Sequence, residues 1–127
     1  MMAGELLRLC VRCDVFAPRV VREAITALPD LGRTFEDALL VATELVSNAV
    51  KHSLCSEDEL LTVSVRRDGW LRIAVIDPGG ASQARIVDRP IGLGGLGLKV
   101  VDALSRSWGA ERHEDGYEVW AELDLIA

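Results

Sequence analysis

The sequence predicts an α+β protein: a two-layer sandwich in which a mixed, mostly antiparallel sheet is covered on one face by about three helices. Three observations carry this reading. Segments of strict apolar alternation occur mostly in pairs joined by tight-turn residues, segments of helical period lie between them, and the order is strand, helix, helix, hairpin, long loop, helix, hairpin. Hairpins build antiparallel ladders, and helices that interrupt them bury their apolar stripes on one face of the sheet.

The elements follow in chain order. Leu7, Leu9 and Val11 alternate with Arg8, Cys10 and Arg12, a first strand. Pro18 suits the first turn of a helix carrying Val21, Ala24, Ile25 and Leu28, which ends before Pro29 and Gly32. A longer helix is expected from Thr34, where Thr34 and Asp37 resemble a capping box, through Leu45, Val46, Ala49 and Val50 to His52 or Ser53. Leu61, Val63 and Val65, the Asp68-Gly69 turn, and Leu71, Ile73 and Val75 make a hairpin. Residues 78–94 are one long polar loop, read as a lid. Leu96, Val100, Val101 and Leu104 give a third helix, and Trp108 to His113 with Tyr117 to Leu125, turning around Asp115-Gly116, close the chain as a hairpin. Residues 1–127 are expected to form one domain.

The chain has 127 residues, half of them hydrophobic, and a formal net charge of -6. That size supports a two-layer core without staples. The acidic balance argues against nucleic acid as a partner, because a backbone binder needs a basic face. It does not exclude a nucleotide, since a divalent metal and free helix-start N–H groups supply a local positive field. No basic region followed by an apolar run opens the chain, and no stretch reaches the roughly 20 apolar residues of a membrane span, so the expected location is the cytoplasm. Cys10, Cys13 and Cys55 are then expected as free thiols. Cys10 and Cys13 spell C-x-x-C, but residues three apart on a strand face opposite sides, which disfavours a metal or redox pair.

On the long helix Glu44, Asn48 and His52 stand four apart. Successive members turn by only about 40° and form one polar stripe beside the apolar arc. Such a stripe is ordinarily the solvated side of a helix. The string Glu44-Leu45-Val46-Ser47-Asn48-Ala49-Val50-Lys51-His52, however, resembles the N box of GHKL ATPases, E-x-x-x-N-A-x-x-H, in the version carried by anti-sigma-factor serine kinases. Asp77-Pro78-Gly79-Gly80 resembles the first glycine box, D-x-G-x-G, with Ala81 where the family has its second glycine. Gly95-Leu96-Gly97-Leu98 resembles the second, G-x-G-L.

That resemblance implies a GHKL-type sandwich that binds ATP and Mg²⁺. Asn48 would ligate the metal through its amide oxygen, a hard ligand suited to Mg²⁺. Glu44 would be the general base, and His52 would lie near the phosphates or close the helix as a cap. Asp77 would accept a hydrogen bond from the adenine amino group, with Gly79 letting the backbone approach the base. Gly95, Leu96, Gly97 and Leu98 would receive the triphosphate at a helix start. It also implies partners: a sigma factor held in check, an anti-anti-sigma protein phosphorylated on serine, and a second copy of the chain in a homodimer.

Gly92-Leu93-Gly94-Gly95-Leu96-Gly97 also satisfies G-x-G-x-x-G, with Glu114 twenty residues past Gly94. The dinucleotide fingerprint must follow a buried strand, whereas Ser82 to Pro90 is polar and ends in proline, so that reading is rejected. No G-x-x-x-x-G-K-[ST] occurs. A histidine kinase would need a leading dimerisation helix with a phospho-acceptor histidine, and a gyrase-like machine a transducer domain. The family's terminal hairpin carries Gly-Thr, whose hydroxyl can reach the phosphates. Here Gly116 is followed by Tyr117 and Glu118, and the lid carries Arg85 and Arg89, as phosphate contacts or as solvated charges. A binding module that holds nucleotide and partner without phosphoryl transfer is the second reading.

Overall fold

A computed structural model describes residues 4–52, 56, 58–78, 96–114 and 116–126. In chain order they form β1 (Glu5–Arg12), α1 (Ala17–Thr26), α2 (Thr34–His52), β2 (Leu60–Arg67), β3 (Trp70–Asp77), α3 (Leu96–Leu104), β4 (Ser107–His113) and β5 (Gly116–Asp124). The five strands make one sheet in the order β1-β2-β3-β5-β4. The expected α+β sandwich is found, and every pair among the described strands is antiparallel. The two hairpins meet through their second strands, β3 against β5, and β4 is left at an edge.

The period of two assigns the faces. Val11, Leu61, Val63, Val65, Leu71, Ile73, Val75, Ala121 and Leu123 point to the helices and are buried. Against them pack Val21 and Ile25 of α1, Val41, Ala42, Leu45 and Val46 of α2, and Val101 of α3. Each fully buried Val, Leu or Ile contributes about 1.5–3 kcal/mol relative to exposure, so this interface holds the layers together. The helix ends follow local chemistry. Pro18 occupies the first turn of α1, which ends at Thr26 with Ala27 as its cap, and Asp30 and Gly32 take left-handed φ values of 60° and 58° in the connection to α2.

Two expectations are corrected. Thr34 does not act as a capping-box hydroxyl. Its Oγ1 donates to the Asp124 carbonyl at 3.0 Å and accepts the Ile126 N–H at 2.8 Å, while Arg33 N–H bonds Ile126 O at 2.9 Å. Local spacing suits a cap, but a buried hydroxyl takes whichever partners the fold brings, and here these are ninety residues away. The cysteines are not all free: Cys10 is an exposed thiol, whereas Cys13 is buried and disulfide-bonded. Cysteine counts say nothing about which sulfurs the fold brings together. The two residues of the C-x-x-C do not pair with each other, as their opposite faces imply. Among the described residues no helix is long and apolar enough to cross a membrane.

Thr34→Ala is expected to lower unfolding free energy by about 1–3 kcal/mol in urea titrations, because a buried N–H and carbonyl lose their partner. Thr34→Ser, which keeps the hydroxyl, should recover most of that loss.

Candidate functional site

Three pieces of chain converge at one end of the sandwich. Thr34 ties the start of α2 to Asp124, and Asp124 pairs with Trp70, the first residue of β3. Helix α2 packs on β3 and therefore runs from the Trp70 end toward Asp77. At 1.5 Å per residue Asn48 lies about 21 Å along the helix. At 3.4 Å per residue Asp77 lies about 24 Å along the strand, so both lie toward the same end of the two layers. Glu44 is one turn behind. Both α2 residues are half-buried, beside the buried Val41 and Leu45, while Glu36, Leu40 and Lys51 take the solvent side. The Glu44–Asn48 stripe thus borders the core rather than forming the outer face of the helix.

Asp77 continues the inward series Leu71, Ile73, Val75 and is only 5% exposed. A carboxylate taken out of water costs several kcal/mol unless charges or donors compensate, so its retention inside an apolar stripe marks a constructed position. Its cross-strand neighbour is Tyr117, 8% exposed on the same face. Burial, and then the negative charge of Asp77, push the Tyr117 phenol above its ordinary range, with Arg112 acting in the opposite direction. Gly116, φ 148°, is required here: a Cβ at that position would stand 2.0 Å from the Asp77 carbonyl oxygen. Sequence reading takes Gly116 as part of a turn, yet it opens β5 and lets that strand close on the end of β3.

Helix α3 packs on α2 and buries Leu98 in its first turn at 4% exposure. Leu96 and Gly97 belong to that helix and His52 ends α2, but their side chains lie outside the described residues. Gly79, Gly95, Ala81, Arg85 and Arg89 also lie outside them. Glu44, Asn48, Asp77 and the start of α3 are therefore the described parts of the predicted site, and α2 is in contact with both β3 and α3. The two described surface hollows, one along Arg19, Arg22, Glu23 and Thr26 and one along Arg22, Glu36, Leu39, Leu40 and Thr43, include none of them.

Sequence reasoning set Tyr117 aside as a departure in the terminal hairpin. The structure makes it a neighbour of Asp77. The signal was available in the alternation Tyr117, Val119, Ala121, Leu123, which puts the tyrosine on the core face, but only the β3–β5 register names its neighbour. As chemistry, the arrangement offers a half-buried carboxylate and amide one turn apart, a buried carboxylate facing a phenol, and a helix start, whose first N–H groups have no partner within the helix. A hard cation, a hydrogen-bonding base and an anion are the groups these donors and acceptors fit.

Comparison with known proteins gives the family and the fold. The family profile described as "Histidine kinase-, DNA gyrase B-, and HSP90-like ATPase" matches residues 36–126. No curated protein matches. Among solved structures the chain is similar to "The crystal structure of the RsbU and RsbW domains of Rv1364c from Mycobacterium tuberculosis", with 19% sequence identity and a TM-score of 0.66. The match covers 94% of this chain and 31% of that one, so this chain spans under a third of its neighbour's length. At that identity the likeness is one of fold.

Gly116→Ala should destabilise the protein by on the order of 2–3 kcal/mol in thermal or urea unfolding, since backbone rather than a flexible side chain must yield. Tyr117 is the sole tyrosine, so tyrosinate absorbance titrates it directly; the midpoint should lie above 10.0. Its folded value exceeds its unfolded one, so the unfolded state releases the proton first. The stability it contributes is then complete below the unfolded value and is lost as pH rises through the folded value. Tyr117→Phe should lose less stability than wild type over that alkaline window.

Proposed function

The chain belongs to the family of histidine kinase-, DNA gyrase B- and HSP90-like ATPases, and from that membership we propose that it is a regulatory ATP-binding serine/threonine protein kinase acting as an anti-sigma factor. The observation that carries the reading is the Glu44–Asn48 stripe, half-buried on α2, a helix that packs on β3, the strand that ends in the buried Asp77. These are the two residue types that phosphoryl transfer asks of the protein, a metal ligand and a proton acceptor, one turn apart.

In this reading Asn48 holds Mg²⁺ through its amide oxygen, and Asp77 accepts the adenine amino group, with Gly79 giving the backbone room. The N–H groups of Gly97 and Leu98, with Gly95 and Leu96 before them, receive the phosphates at the start of α3. His52 stands beside the phosphates or closes α2. Bound Mg-ATP supplies the electrophilic γ-phosphoryl group. Glu44 takes the proton of the incoming serine hydroxyl as the new oxygen–phosphorus bond forms and the bond to the bridging oxygen of ADP breaks. The serine belongs to an anti-anti-sigma protein, the protein held in check is a sigma factor, and the active unit is a homodimer of a single-domain cytoplasmic chain.

A second reading, a nucleotide-dependent binding module without transfer, has one observation in its favour. The bulky, buried Tyr117 stands beside Asp77 where the family resemblance implies a small Gly-Thr step.

Millimolar Mg-ATP should raise the melting temperature, because a ligand that binds only the native state stabilises it; Asn48→Ala should lose the Mg²⁺-dependent part of that shift. With labelled ATP and the antagonist protein, label should appear on the antagonist. Glu44→Ala should lower that transfer by about 10²–10⁴-fold while retaining most ATP binding. Transfer undiminished in Glu44→Ala removes Glu44 from the mechanism, and nucleotide binding without any label on the antagonist selects the inert module.

A further inference from the structure

The other face of the sheet, turned away from Asp77, carries a second constellation at the β4–β5 hairpin. Glu111 and Glu118 are directly opposed across the two strands, and His113 follows two residues after Glu111 on the same face. Like charges directly opposite one another destabilise an antiparallel pair, and a cation held by both carboxylates would offset that repulsion. His113 Nε2 lies 2.6 Å from Glu118 Oε1 and 3.6 Å from Glu111 Oε2. One ligand atom from each of the three falls within 4.8 Å of the others.

Two ligands about 2.1 Å from a tetrahedral ion stand about 3.4 Å apart, so changes in separation of at most about 1.4 Å bring this triad to coordinating distance. The surroundings resemble a supported site. The second oxygen of Glu118 faces Arg72 Nη2 at 3.6 Å. Arg72 is in turn held by Glu122 at 3.2 Å and lies over the Trp120 ring at 4.5 Å. That chain fixes the orientation of the Glu118 carboxylate, as outer partners do around bound metals. Trp120 itself lies flat across β4 because position 109 is glycine: a Cβ there would be 3.0 Å from the ring. The Glu118 side chain is 13% exposed, against 42% for His113 and 56% for Glu111. The cluster thus has a fixed inner ligand, two outer ones and an open side for water.

We propose that Glu111, His113 and Glu118 bind a first-row divalent transition ion of the zinc type, at a site separate from the ATP-binding face. One imidazole nitrogen with two carboxylate oxygens suits Zn²⁺ and its neighbours, whereas Mg²⁺ prefers oxygen alone. The ion offsets the Glu111–Glu118 repulsion and fastens the hairpin next to Tyr117, the neighbour of Asp77. The proposal does not depend on the kinase reading.

The test uses the full chain, stripped of metal with a chelator and titrated with ZnCl₂ by calorimetry and with CoCl₂ by visible absorbance. Expected are one equivalent bound, the intense d–d bands of four-coordinate cobalt, and a higher melting temperature with zinc. His113→Ala and Glu111→Gln should each weaken binding by about tenfold or more, with unchanged circular dichroism. Cys10→Ser, which removes the exposed thiol, should bind as wild type does. No uptake of zinc, or uptake equally tight in His113→Ala, overturns the proposal.

Discussion

A carboxylate at the end of an apolar stripe is the constraint around which the rest is arranged. Asp77 follows Leu71, Ile73 and Val75 on the inward face of β3, and a group with its solvation energy cannot sit there passively. The end of β5 is shaped to it: Gly116 permits the approach of the two backbones, and the Tyr117 ring covers the neighbouring position on the same face. Burial and then the charge at Asp77 push the phenol above its ordinary range.

Helix α2 joins this end of the sheet to the core. One arc of the helix, Val41, Ala42, Leu45 and Val46, is among the most deeply buried parts of the protein, while Glu44 and Asn48 flank that arc without entering it. Their direction is therefore set by core packing, which fixes the rotation of the helix, and their height by the Thr34 hydroxyl, which fixes its starting point. Side chains meant to act together need such rigid support, since small displacements are costly at a reacting centre.

The sheet separates two electrostatic environments. Its inner face is apolar and ends in Asp77 and Tyr117; its outer face carries alternating charge, with Arg72 between Glu118 and Glu122 and stacked on Trp120. Strand β5 serves both faces, because Tyr117 points inward and Glu118 outward. Events at the outer cluster and at the inner site therefore share one strand, and ordering of either face bears on the other through backbone already held by the β3 and β4 ladders.

By itself the sequence determined the kinds and order of the elements. Alternation at Leu61–Val65 and Leu71–Val75, the Asp68-Gly69 turn, and helical spacing from Phe35 to Val50 are local regularities, and local regularities survive without coordinates. The polar stripe at Glu44 and Asn48 was legible for the same reason. Only the tertiary structure decided that β5 rather than β4 lies beside β3, that Tyr117 neighbours Asp77, that Thr34 bonds the far end of the chain, that Cys13 is bonded while Cys10 is free, and that Glu111, His113 and Glu118 form one cluster. Each of these is a pairing between distant or adjacent strands and helices, and register across a sheet is set by the total fit of the core, which no short window of residues contains.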